Sequence, residues 1–183
     1  MLRDKDIADI PYLQKEISEV VFDTNILRYS NHPVFLPQIE KFLEKFVIRN
    51  ARFLISAVSI FELLQAANET IEKENIVLLS KFDSFPLNKK LLIVAARLAG
   101  IYQKYGGINL RGFGSGDLYI AATSITISTY ILTANQKDYP HPIFQEEESF
   151  VISNKDKFGR TEYTSIYLLK PNYEFLADKL ITN

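Results

Sequence analysis

The sequence predicts an α/β fold, a three-layer sandwich with a mostly parallel central sheet and a C-terminal hairpin extension. Short apolar runs such as Val20-Val21-Phe22 alternate with longer segments of helical periodicity, and most of these runs end abruptly in a small polar residue. Continuous apolar runs are typical of buried parallel strands, and their alternation with helices favours a parallel sheet. With 183 residues, 47% of them hydrophobic, the chain can bury one substantial core. We expect a single domain with its core at about 19–139, an N-terminal arm at 1–18 and an extension at 140–183.

The first half of the chain predicts two strands and three helices. An amphipathic helix is indicated where Ile39, Phe42, Leu43, Phe46 and Val47 recur at helical spacing. The predicted elements are a strand at Glu19–Phe22, helices at Ile26–Tyr29 and Gln38–Asn50, a strand at Arg52–Ser56, and a helix at Ser59–Ala67 whose extension toward Glu74 is left open.

The second half continues the alternation and then changes character. The elements predicted here are a short strand or connector at Phe85–Leu87, a helix at Lys89–Tyr105, a helix opening at Asp117, strands at Tyr130–Thr133, Phe150–Ile152 and Thr161–Leu169, and a helix at Asn172–Ile181. A turn is expected over Lys155–Gly159, so the last two strands form a C-terminal hairpin.

Composition excludes several kinds of site. The chain has no cysteine, which excludes disulfides, thiolate nucleophiles and Cys-ligated zinc. Its two histidines, His32 and His141, lie beside prolines, where we expect exposed loop positions.

A net charge of -1 provides no attraction of the whole molecule to nucleic acid, so binding phosphate would need a local basic patch or a metal ion. With no apolar leader or membrane-length segment, we expect a cytoplasmic protein.

Polar residues follow several predicted strands at the point where each strand ends. Asp23, Glu62 and Asp117 lie at strand ends or at helix beginnings, as does one of Asn135 and Asp138. Each has a purely structural alternative. Asp23 could cap the helix that follows, Glu62 could complete a Ser-x-x-Glu capping box, and Asp117 could complement a helix dipole.

Several acids at one edge of a sheet would imply more than helix capping. The carboxyl ends of parallel strands emerge along one edge, so these side chains are expected to converge there. Clustered carboxylates repel one another and destabilise the fold unless a cation lies among them. Oxygen ligands without sulfur or imidazole suit Mg²⁺ or Mn²⁺.

A possible basic stripe lies on the long helix. Lys90, Arg97 and Lys104 recur every seven residues and share roughly one face. The stripe could simply be a solvated surface, or it could contact phosphate beside the site. Arg111 and Lys137 are further candidate contacts to a nucleic-acid backbone.

Four motifs together resemble PIN-domain nucleases, and most closely VapC-type toxins of toxin–antitoxin pairs. The motifs are Asp23-Thr24-Asn25 after a strand, Ser59 to Leu63 in a helix, Asp117 to Ala122 opening a helix, and Leu132 to Tyr139 after a strand. The resemblance implies that Asp23, Glu62 and Asp117 bind the metal. It places the fourth acid at Asp138 with Asn135 assisting, and it makes Thr24, Asn25 and Thr133 supporting hydrogen-bonding groups.

The resemblance also implies an activity and partners. It implies a Mg²⁺- or Mn²⁺-dependent endoribonuclease that cuts RNA by attack of water, with a protein antitoxin as partner, a homodimer as a candidate assembly and no association with a membrane. The alternative is a catalytically weak, PIN-like module for RNA binding or assembly. Two other families of phosphate-binding α/β proteins fit less well. Haloacid-dehalogenase-type phosphatases need a second Asp two residues after the first, where this chain has Asn25. Receiver domains usually carry an acidic pair, which the first strand lacks.

Overall fold

A computed structural model describes residues 18–48, 50–65, 67–107 and 115–181. Over these ranges the chain forms six strands and seven α-helices. The strands are β1 (Glu19–Phe22), β2 (Arg52–Ser56), β3 (Asp83–Phe85), β4 (Tyr130–Thr133), β5 (Phe144–Lys155) and β6 (Thr161–Pro171). The helices are α1 (Thr24–Ser30), α2 (Leu36–Val47), α3 (Ala57–Leu64), α4 (Glu69–Leu79), α5 (Lys89–Tyr105), α6 (Ser115–Ile127) and α7 (Tyr173–Ile181).

The strands form one mixed sheet in the order β3-β2-β1-β4-β6-β5. Strands β1 to β4 are parallel to one another, whereas β6 is antiparallel to both β4 and β5. The predicted α/β class with a mostly parallel core is therefore confirmed. The predicted C-terminal hairpin is also present, and it enlarges the central sheet instead of packing beside it.

Alternate residues of the central strands pack into two hydrophobic clusters, one on each face of the sheet. Val21 of β1 faces a cluster with residues of α5, α6 and α7, whereas Val20 and Phe22 face a second cluster with residues of α1 to α4. Side chains alternate across a strand, so a strand buried on both faces needs an unbroken apolar run. Helices on both faces of one sheet give the predicted three layers.

Helices α3 and α4 differ most from the prediction. Helix α3 begins at Ala57, and its N-cap is Ser56, whose hydroxyl accepts a hydrogen bond from the backbone amide of Val58 at 3.3 Å. Ser59 is buried inside α3, and its hydroxyl has no hydrogen-bond partner among the described residues. The helix start predicted at Ser59 is thus wrong, and the alternative in which Ser59 and Glu62 form a capping box fails because the helix starts before that motif.

Helix α4 is a separate element instead of an extension of α3. It begins after Asn68, whose side-chain oxygen accepts a hydrogen bond from the amide of Ile71 at 3.0 Å. A side chain that caps a new helix there satisfies amides that a continuous helix would bond internally. Of the helices in the described ranges, none is both long and apolar enough to cross a membrane.

Candidate active site

Asp23 lies at the carboxyl end of β1, directly before α1, and only 2% of its surface is exposed. Its side chain does not cap α1. Instead the carboxylate accepts hydrogen bonds from Nδ2 of Asn25 at 2.7 Å and from Oγ1 of Thr133 at 2.6 Å. Burial raises the pKa of Asp23, and these hydrogen bonds partly oppose the rise because they stabilise the charged form.

Asn25 and Thr133 join the ends of neighbouring strands around this carboxylate. Nδ2 of Asn25 also donates to Oγ1 of Thr133 at 3.2 Å, and Oδ1 of Asn25 accepts from the amide of Ala134 at 2.9 Å. The Thr133 hydroxyl accepts a further hydrogen bond from the amide of Asn135 at 2.9 Å. Because parallel β1 and β4 are adjacent, residues 110 positions apart in sequence meet here.

Glu62 reaches the same edge from α3. Oγ1 of Thr24 donates a hydrogen bond to Oε2 of Glu62 at 2.6 Å. The other carboxylate oxygen lies against Gly116, where an added Cβ would stand 1.9 Å from it. Gly116 therefore allows the start of α6 to approach Glu62 closely, a role that the sequence analysis did not assign.

Asp117 lies in the first turn of α6, and its pKa is strongly raised. Burial raises its pKa to about 7, with further contributions from the negative charges of Asp138, Asp23 and Glu62. The electrostatic influence of all three acids on Asp117 shows that the four predicted carboxylates share one region of the molecule. They come from four separate elements: the end of β1, α3, α6 and the turn after β4.

Asp138 ends a short 3₁₀ turn, Gln136–Asp138, that follows β4. Burial and the charge of Asp23 raise its pKa, while a hydrogen bond from the Asn135 side chain opposes the rise. Asp138 is half-buried and Asn135 is exposed, so this side of the group opens to solvent.

Two tyrosines under the acidic group were not predicted as site residues. The buried Tyr139 hydroxyl faces Asp23 and helps to lower the pKa of that carboxyl, although its geometry falls short of a well-formed hydrogen bond. The pKa of Tyr102 is raised well above its usual value by burial and by the charges of Asp117 and Asp138. The only sequence signal for Tyr139 was its position directly after Asp138.

The acidic group fits a hard divalent cation in its chemistry. All of its donors are oxygens, and the mutual repulsion that contributes to the raised pKa of Asp117 is relieved by a positive ion. Among the described residues, however, no three Asp, Glu or His side chains are close enough to hold one ion between them.

The predicted basic contacts have different surroundings. Arg97 donates a hydrogen bond to the carbonyl of Leu180 at 2.6 Å, so its guanidinium ties α5 to α7. Lys90 and Lys104 are exposed on α5, and Lys137 is exposed in the turn beside Asp138. Arg111 lies outside the described residues.

Comparison with known proteins adds support for the fold. No protein-family model and no curated protein matches the sequence. Among solved structures, a chain of the DNA-bound VapBC complex from Salmonella typhimurium matches with a TM-score of 0.53 at 17% identity, over 66% of this chain and 89% of that one. A chain of VapBC-1 from nontypeable Haemophilus influenzae matches with a TM-score of 0.51 at 22% identity, over 66% of this chain and 90% of that one.

A third structure gives the same result. VapBC2 from Rickettsia felis, bound to a DNA fragment from its promoter, matches with a TM-score of 0.50 at 22% identity, over 65% of this chain and 89% of that one. The chain has a VapC-like, PIN-like fold. About a third of the chain lies beyond each of these matches, so it is larger than the chains that it resembles.

Proposed function

We propose that this protein is a metal-dependent endoribonuclease that hydrolyses RNA phosphodiester bonds, with Asp23, Glu62, Asp117 and Asp138 at its active site. One observation carries the proposal: acids from separate elements meet at one edge of the sheet, where Thr133 of β4 donates a hydrogen bond to Asp23 and the start of α6 lies against Glu62. A fold that gathers four acids in this way, without a histidine or cysteine, is suited to bind a divalent cation and a phosphate group beside it.

The surrounding residues would hold the acids in place for this task. Thr133 and Asn25 fix the orientation of the Asp23 carboxylate, and Thr24 fixes one oxygen of Glu62. Mg²⁺ or Mn²⁺, when bound, would promote ionisation of a water and offset the charge that develops on the phosphate. The half-buried Asp138, with exposed Asn135 beside it, leaves an opening through which an RNA strand could reach the site.

We further propose that the protein is the toxin of a toxin–antitoxin pair. The support is its fold, since the three solved structures described above are VapBC complexes and two of them contain DNA. An antitoxin would then be its protein partner, and a homodimer a candidate assembly. If a neighbouring gene encodes a small DNA-binding protein, co-expression of that protein should abolish RNA cleavage, and unchanged cleavage by the purified complex would contradict this assignment.

A second candidate is a catalytically weak, PIN-like module that binds RNA. The observation that favours it is the spacing of the carboxylates, because no three acids among the described residues are close enough to bind one ion together. Such a module would bind RNA and leave it intact in excess Mn²⁺.

Cleavage of a fluorescently labelled RNA separates these two functions. The wild-type protein should cut the RNA in Mg²⁺ or Mn²⁺ and not in EDTA. Asp23→Asn should lower kcat by at least about a hundredfold, since it removes a charge needed for metal binding. Asp83→Asn, at an exposed position on β3, is the control and should cut at the wild-type rate. A folded Asp23→Asn variant that cuts as fast as wild type would refute the assignment.

A further inference from the structure

The C-terminal hairpin extends past the edge of the sheet where the acidic group lies. Strand β4 ends at Thr133, which is paired with Tyr167 of antiparallel β6. Because β6 begins at Thr161, the hairpin continues beyond Thr133 for about 20 Å at roughly 3.4 Å per residue. Thr133 hydrogen-bonds Asp23, so the projecting part of the hairpin starts at the candidate active site.

One face of the projecting hairpin is fixed against α2. Phe150 stacks on Phe42 with ring centroids 3.9 Å apart. The side chain of Gln38 forms two hydrogen bonds with the backbone of Ser153, each 2.9 Å long. These contacts hold the orientation of the hairpin, so its opposite face has a defined direction.

The opposite face, here named the open face, is polar and uncovered toward its tip. The cross-strand pairing shows which residues lie on this face: Ser149, Val151, Ser153, Lys155, Thr161, Tyr163, Ser165 and Tyr167. None of these eight residues, all within the described part of the chain, is acidic. Tyr163 is 72% exposed, and Val151 is 58% exposed. Tyr167 pairs with Thr133, so the open face is continuous with the surroundings of Asp23.

The tip of the hairpin adds positive charge and a second exposed aromatic ring. Lys157 lies over the ring of Phe158, which is 74% exposed, and Arg160 is exposed beside them. The neighbouring acid, Asp156, accepts hydrogen bonds from the amides of Phe158 and Arg160 at 2.8 Å, so its carboxylate shapes the turn. Glu162 of β6 is also close to the turn, but it pairs with Asn154 and lies on the face opposite the open face.

We infer that the open face binds the single-stranded RNA segment that leads into the active site, an inference that rests on the proposed nuclease function. The chemistry is complementary: bases stack on Tyr163 and Phe158, and Lys155, Lys157 and Arg160 bind phosphates. Exposed aromatic rings on a sheet face, with cations nearby, bind single strands with little dependence on sequence. The charge of the whole chain is -1, so this local arrangement provides the attraction that the whole molecule lacks.

Fluorescence anisotropy of a labelled single-stranded RNA of about 12 nucleotides, in EDTA, tests the inference without cleavage. Tyr163→Ala should weaken binding on the order of tenfold, because a stacked base is lost, whereas Tyr163→Phe should bind like wild type. Replacing Lys155, Lys157 and Arg160 with Ala should reduce the slope of log Kd against log salt by about 2. Lys73→Ala, an exposed lysine of α4 paired with Glu69, is the control and should change nothing.

Cleavage assays with the same variants separate this inference from the proposed function. Under Mg²⁺ or Mn²⁺, Tyr163→Ala should raise KM about tenfold and leave kcat unchanged. If wild type cleaves RNA and the hairpin variants keep its Kd and KM, the nuclease stands and the inference is overturned. If wild type binds RNA through the open face without cutting it, the nuclease proposal fails and the RNA-binding face stands. Light scattering that shows a changed association state for Tyr163→Ala, with unchanged RNA affinity, would make the face a protein interface and overturn the inference.

Discussion

Replacing Asp117 with Asn should stabilise the metal-free protein at alkaline pH. The side chain is nearly isosteric, but it no longer carries a charge beside Asp138, Asp23 and Glu62. A pKa raised from 3.8 to about 7 corresponds to at most about 4 kcal/mol, at about 1.36 kcal/mol per pH unit. Because Asp117 is only partly buried, solvent screening reduces the expected gain to about 1–2 kcal/mol.

The pH dependence gives the prediction its sign. The folded-state pKa of Asp117 lies above its value in the unfolded chain, so the folded protein binds the extra proton between about pH 4 and pH 7. Ionisation of Asp117 in the folded protein therefore does not lower the free energy of unfolding below that range, and it lowers it by the full amount above that range. Urea unfolding in EDTA should show that the wild-type free energy of unfolding falls from pH 5 to pH 8. The free energy of unfolding of the Asp117→Asn variant should fall less over the same range.

Two further observations make this test decisive. Burial also raises the pKa of Asp23 and Asp138, so part of the decrease with pH should remain in the variant. Asp83→Asn, on β3, should follow the wild-type pH dependence. The reasoning is refuted if Asp117→Asn changes the free energy of unfolding by the same amount at pH 5 and pH 8, or if wild type is equally stable at both.

The other predictions concern the residues that hold the acids in place. Thr133→Val removes a hydrogen-bond donor to buried Asp23 and should lower the free energy of unfolding by about 1–3 kcal/mol in urea titrations at neutral pH; an unchanged midpoint would contradict that role. Gly116→Ala should displace the Glu62 carboxylate and reduce kcat on RNA by about tenfold or more. The free energy of unfolding should fall by no more than about 1 kcal/mol, because only the end of a flexible side chain must move. Ser56→Ala should cost about 1 kcal/mol, measured by urea unfolding, through loss of the N-cap of α3, and a value near zero would mean that the cap is dispensable.

Much of the fold was predictable because its signals are local. The run Val20-Val21-Phe22 predicted a strand buried on both faces, and these residues face two different clusters. Strand β2 has the predicted bounds, Arg52–Ser56. The predicted start of α3 was wrong because Ser56 and Ser59 are both plausible caps, and the correctly predicted end of β2 did not by itself show that the helix follows directly.

The sequence by itself determined which residues stand at the ends of strands, since apolar periodicity and helix signals depend on near neighbours along the chain. Only the tertiary structure decided what those residues do. The hydrogen bond from Thr24 to Glu62 spans 38 positions and that from Thr133 to Asp23 spans 110, so both depend on how the crossovers bring strands together. The raised pKa of Asp117 likewise reflects burial and distances between acids on separate elements, quantities that no local pattern contains.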